Sequence, residues 1–139
     1  MNKILYLLII LSFSSYASDD KGIKFKEVSR SKILNEANKQ NKLIFIDIYA
    51  AWCGPCKWMD ENTFQDALVG EKFNKTFLNY KVDGDSFEGV SVGIICRVDS
   101  FPTYLYIAPD GKVIHRIEGT QSPEGLVQEA NFVLSRATK

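Results

Sequence analysis

Residues 45–57 read Phe45-Ile46-Asp47-Ile48-Tyr49-Ala50-Ala51-Trp52-Cys53-Gly54-Pro55-Cys56-Lys57. The first half belongs to an apolar, β-rich run that starts at Leu43, the kind of run buried on both faces of a central strand. Gly54-Pro55 punctuates it, and from Lys57 onward the pattern is helical. Two cysteines therefore stand at a strand-to-helix junction. At a helix N-terminus, unpaired N–H groups and the helix dipole stabilise a thiolate. The thiolate is the attacking species in disulfide exchange. Cys56 lies one turn behind Cys53, where it can attack a mixed disulfide and release the partner. Pro55 suits the first turn, because its missing N–H would have no helical partner there.

Other uses of two close cysteines fit less well. The chain has 139 residues and only three cysteines, too few and too odd a number for a disulfide-stapled scaffold. A c-type haem site needs histidine after the second cysteine, and position 57 is lysine. A closed zinc site usually needs four Cys or His ligands, and His115 falls far along the chain in a strand. No metal is expected. A purely structural Cys53–Cys56 disulfide stays open as an alternative, although so short a loop constrains the chain little.

The flanking sequence alternates strands and helices. Ile23, Phe25 and Val28 suggest an edge strand. Ser29 or Ser31 can cap a helix with Ile33, Leu34 and Ala37 on one face. Asp66 reads as the cap of a helical segment whose buried face is Leu68, Val69, Phe73 and Phe77. Residues 78–82 form a second central strand and 87–97 a short helix weakened by Gly89 and Gly93. Residues 103–108 form a third strand. Pro109-Asp110-Gly111 turns the chain into a hairpin partner at 113–117. Ser122 caps a last helix with Pro123 at its first position and Leu126, Val127, Ala130, Val133, Leu134 and Ala137 as its core stripe. The order β-α-β-α-α-β-α-β-β-α predicts an α/β domain, a mixed sheet covered by helices on both faces. Crossover helices make the central strands parallel, and the tight turn makes the last pair antiparallel.

Composition narrows the function classes. With 45% hydrophobic residues the chain can build one core, and its length fits one domain. Seventeen basic and 17 acidic residues cancel, which argues against nucleic acid or a polybasic membrane surface as partner. At the N-terminus, Lys3, the apolar run 4–11 and Ser15-Tyr16-Ala17 read as a signal peptide, 1–17, with cleavage expected after Ala17, an uncleaved N-terminal anchor being the alternative. The run is shorter than the roughly 20 residues of a membrane helix. The mature domain is then 18–139, exported and periplasmic.

Residues 45–57 closely resemble the active-site segment of thioredoxin, and Phe101-Pro102-Thr103 resembles the thioredoxin cis-proline loop. Gly119 after the hairpin also fits. The resemblance covers roughly residues 22–137. Within the family, the stretch from Glu61 to Asp66 and the Pro-Asp-Gly turn resemble exported thioredoxin-like proteins, including the C-terminal domain of the electron-transferring membrane protein DsbD. The resemblance implies a thioredoxin fold and dithiol–disulfide exchange without a cofactor. Cys53 matches the nucleophile and Cys56 the resolving thiol. Asp47 matches the buried carboxylate beneath them, a proton acceptor for Cys56. Trp52, Gly54, Pro55, Phe101, Pro102 and Thr103 match the substrate-binding rim, with Pro102 the cis-proline. Two departures stand out. Asn79 and Tyr80 occupy the neighbourhood of the family's lysine, and Lys81 is expected on a different register. Glu61 replaces the proline that kinks the active-site helix, so a straighter helix is expected. Cys96 reads as a small buried hydrophobe.

Strong oxidants of the family place histidine between the cysteines, and Gly54-Pro55 offers no such donor. The expectation is a monomeric reductase of disulfides in exported proteins, fed by a membrane electron donor of the DsbD type. A general oxidase or isomerase, and a non-catalytic binding or chaperone module on the same scaffold, are the alternatives.

Overall fold

The structure is a computed structural model that describes residues 21–137, so the expected signal peptide 1–17 lies outside the described residues. Strands β1 (Leu43–Tyr49), β2 (Phe77–Asp83), β3 (Thr103–Ile107) and β4 (Val113–Glu118) form one sheet in the order β2-β1-β3-β4. Five helices pack on it: α1 (Arg30–Gln40), α2 (Gly54–Glu61), α3 (Ala67–Thr76), α4 (Phe87–Cys96) and α5 (Pro123–Ala137).

Strand alternation divides the core in two. Phe45, Tyr104 and Tyr106 point to one face, against Met59, Phe73 and Leu126 of α2, α3 and α5. Ile44, Ile46, Ile48 and Leu105 point to the other, against Ile33 of α1 and Val92 of α4. Helices thus cover both faces, as the element order predicts. Phe45 is the hub of the first face. Its ring lies 4.8 Å from that of Phe73, 5.2 Å from Tyr106 and 5.8 Å from Tyr104, with Phe25, Phe64 and Phe77 just beyond.

The caps follow the sequence. Ser29 accepts from the Lys32 N–H at 3.3 Å, and Asp66 Oδ1 accepts from Leu68 and Val69 at 2.9 and 3.0 Å. Ser122 accepts from the Gly125 N–H at 3.1 Å, with Pro123 opening α5.

Several expectations change. The first strand shrinks to a single parallel bridge, Lys26 to Tyr80. Its other backbone groups find partners elsewhere: Lys24 N–H donates to Asn74 Oδ1, and Ile23 N–H to the Phe64 carbonyl. β1 and β2 are parallel, but β3 runs antiparallel to β1. The crossover after β2 cannot return the chain to the far end of the sheet. Thr103 at the start of β3 pairs with Ile48 at the end of β1, so α4 leaves and rejoins the same end. Gly89 allows this: a Cβ there would meet the Asp83 carbonyl oxygen at 1.9 Å. Leu68 and Ala137, expected in the core, are exposed: Leu68 points away from the packed stripe of α3, and Ala137 continues the stripe of α5 but is the helix's last residue. Without the family's proline, α2 still ends at Glu61. The Asn62 side chain donates to the Trp58 carbonyl at 2.8 Å, competing for a helical acceptor. Cys96 is half-buried at the core's edge rather than inside it, and burial pushes its thiol pKa up.

Phe45→Ala is expected to cost about 3–5 kcal/mol, the range for emptying a buried aromatic site. Urea unfolding of the two proteins measures it.

Candidate active site

β1 delivers the chain to the sheet's C-terminal end, and a turn at Ala50–Trp52 starts α2. Cys53 is the N-cap of that helix, with extended backbone, and its sulfur accepts from the Cys56 N–H at 3.2 Å. Pro55 occupies the first turn, where no intrahelical donor is lost. Cys53 and Cys56 are joined in a disulfide, their Cα atoms 5.3 Å apart. Each is only 3% exposed, so the rim around them governs access.

The rim assembles from distant sequence. Trp52 is 72% exposed, yet its indole N–H donates to Asp85 Oδ2 at 2.8 Å. Its ring meets that of Phe101 edge-on at 5.9 Å. The Phe101–Pro102 peptide is cis, as the resemblance implies. Phe101 packs against the small cluster of Ala50, Cys53 and Cys56. Gly84 makes room for it, since a Cβ there would lie 2.4 Å from the Phe101 ring. Gly119 takes a left-handed conformation and donates its N–H to the Pro102 carbonyl at 3.0 Å. Thr103, like Pro102 beside it, is buried, unlike the exposed Trp52, Gly54 and Pro55. Its hydroxyl donates inward to the Ser100 carbonyl at 2.8 Å, so its side chain braces the loop rather than facing a substrate.

Beneath the rim, the register corrects the sequence reading of Lys81. Leu43 pairs with Phe77, so Asp47 falls directly opposite Lys81. The ammonium donates to Asp47 Oδ2 at 2.8 Å and also to Asp60 Oδ1 on α2, one turn past Cys56. Lys81 therefore occupies the place that had been assigned to Asn79 and Tyr80. Its Nζ lies 4.6 Å from the Tyr49 ring centre, 5.3 Å from Phe25 and 5.5 Å from Phe64, a favourable setting for a cation. Asp60 and Asp85 were missed by the sequence reading. The i, i+4 spacing from Cys56 to Asp60 was the available signal for the first; none was available for the second.

The electrostatics follow. Burial pushes Asp47 up from 3.8 to about 6, against the opposing pull of Lys81. Burial works against the charge of Lys81, but Asp47 and Asp60 outweigh it and its pKa is raised. The two shifts are compatible: one ammonium serves two carboxylates, so the lysine is over-compensated and the fully buried aspartate under-compensated. Asp47 Oδ1 accordingly has no hydrogen-bond partner among the described residues. No group of three or more metal-binding side chains gathers among the described residues.

The sequence model of the thioredoxin family matches residues 24–131, most of the chain. The chain belongs to the thioredoxin family. Its cysteine pair is thus that of a family of thiol–disulfide oxidoreductases. Thioredoxin Y of Oryza sativa, a chloroplastic protein, is 31% identical over 99 residues, covering 71% of this chain and 55% of that protein. Among solved structures, a Bacteroides thetaiotaomicron protein provisionally described as a disulphide-isomerase is 36% identical. It superposes with a TM-score of 0.72 over 82% of this chain and 94% of its own. A Thermus thermophilus thioredoxin, 19% identical, superposes with a TM-score of 0.73 over 81% of this chain and 88% of its own, a likeness of fold.

Folded Asp47 holds its proton to about pH 6, whereas its ordinary value is 3.8. Between these values the folded state binds more protons than the unfolded, so this group lowers stability as pH rises through that window. Asp47→Asn is expected to stabilise the protein at pH 7 by on the order of 1–3 kcal/mol. The gain should vanish below about pH 4. Urea unfolding at both pH values measures it.

Proposed function

We propose that this protein is an exported protein-disulfide reductase, acting in the periplasm on disulfides of other exported proteins. The observation that carries the reading is the thiolate position. Cys53 caps α2 with an N–H donor at its sulfur, and only Gly54 and Pro55 stand between the cysteines. Helix end and backbone stabilise a thiolate there, but no intervening side chain adds a further donor. Such moderate stabilisation favours a reducing pair, since strong oxidants of this kind owe their potential to a stabilised reduced form. The signal features of residues 1–17 support export.

In the reaction, the Cys53 thiolate attacks one sulfur of a client disulfide. A mixed disulfide forms and the first client sulfur leaves with the bonding pair. Cys56 gives its proton to Asp47 and attacks the Cys53 sulfur. The Cys53–Cys56 bond forms, and the second client sulfur leaves. Two electrons have passed to the client, and both its thiolates take protons. Restoring the dithiol requires an external dithiol donor, and a membrane protein of the DsbD type would supply it. A groove of about 480 Å³ beside Phe101, lined among others by Val90, Ile94, Arg97 and Asp99, supports the seating of a client chain on that side of the rim.

The likeness to the protein provisionally described as a disulphide-isomerase favours isomerisation as a second reading. Two measurements separate the readings. The Cys53–Cys56 potential is expected near −270 mV, and a value above about −180 mV overturns the reductase assignment. A Cys56→Ser variant is expected to trap mixed disulfides with several exported proteins. Trapping none favours a non-catalytic binding module instead.

A further inference from the structure

Lys81 offers three N–H donors, and the structure commits them unevenly. One goes to Asp47 Oδ2, and another goes to Asp60 Oδ1. Asp60 is 42% exposed at its side chain and can be solvated by water, whereas the side chain of Asp47 is 2% exposed and depends on its protein neighbours. Asp60 therefore draws part of a half-buried cation's field toward a carboxylate that needs it less. It also adds a second negative charge beside the first, which further disfavours ionised Asp47.

We propose that Asp60 is a positioning residue: through the shared Lys81 ammonium it controls how far Asp47 is neutralised, and so how readily Asp47 takes and returns the Cys56 proton. Its place on α2, one turn past Cys56, ties that control to the helix that carries the dithiol. The other charged or titratable groups facing this centre are few. Tyr104 lies opposite Asp47 on β3, and burial, with Asp47 and Asp60, holds its hydroxyl protonated. Tyr49 of β1 lies under the ammonium and also feels Asp83 and Glu27, its own pKa likewise raised by burial first. Neither supplies a cation that could replace Lys81. Asp60 therefore sets the operating pH from a distance, without touching either sulfur's exchange partner.

The proposal rests on the reading of Asp47 as proton acceptor, and the experiment separates the two. The Asp47 side-chain carboxyl is titrated by carbon-detected NMR in full-length protein with Cys53 and Cys56 reduced. Wild type, Asp60→Asn and Asp60→Glu are compared. Asparagine keeps an oxygen for Lys81 and removes only the charge. The Asp47 midpoint is expected to fall by roughly half to one pH unit in Asp60→Asn, about three- to tenfold in proton affinity. In Asp60→Glu it is expected to return to the wild-type value. The acidic limb of the pH profile for insulin disulfide reduction should move with it. An unchanged midpoint in Asp60→Asn overturns the proposal, as does a shift that Asp60→Glu reproduces, which would mark a packing effect. An Asp47→Asn variant tests the underlying reading: the acidic limb is expected to disappear. If it persists while the Asp47 midpoint still responds to Asp60, the proton-acceptor reading fails and the link to catalysis falls with it.

Discussion

The register of β1 on β2 places a buried carboxylate opposite a half-buried ammonium. A charge as deeply buried as Asp47 is costly unless paired, and pairing in a low-dielectric interior must be geometrically good to offset desolvation. The strands supply that geometry through hydrogen bonds made for other reasons. The aromatic faces of Tyr49, Phe25 and Phe64 around the ammonium favour a cation. The compensation is incomplete, since Asp47 still titrates near 6. That incompleteness gives the site a group able to exchange protons near neutral pH, which a fully satisfied ion pair would not do.

The rim above depends on the same sheet end. β1 and β2 both finish there, β3 starts there, and α2 departs from it. Cys53, Trp52, Asp85 and Phe101 come from three separate connections, each short and held by backbone hydrogen bonds. The Gly84 N–H donates to the Tyr49 carbonyl at 2.7 Å and binds the loop after β2 to the end of β1. Gly119 ties the hairpin to Pro102. Rigid strands thus position a site whose contacting groups lie on loops.

Local pattern in the sequence was enough for the four strands of the sheet, though not for the expected edge strand near Phe25, and for the caps at Ser29, Asp66 and Ser122 and the Cys-Gly-Pro-Cys junction. Each of these is decided by residues within a turn or two of one another. Pairing across long separations was not. Asp47 and Lys81 are 34 positions apart, and only the register of two strands says they touch. Alternation alone places Phe77, Asn79 and Lys81 on one face, but it cannot say which of them meets Asp47. Strand direction failed for a related reason. A helix between two strands suggests a parallel crossover, and whether α4 spans the sheet or stays at one end depends on tertiary packing, seen here at Gly89. Leu68 shows the opposite limit: an apolar residue beside a true core stripe can still face solvent.

The scant exposure of the two sulfurs has a consequence for selectivity. Exchange rates depend on access to the sulfur as well as on thiolate character. Cysteines only 3% exposed leave a small opening, and an attacking thiolate must approach it past the rim. On the reductase reading proposed above, a partner that seats a chain against Trp52 and Phe101 reaches that opening in the course of docking. In that reading the rim selects partners by contact before any sulfur is exchanged.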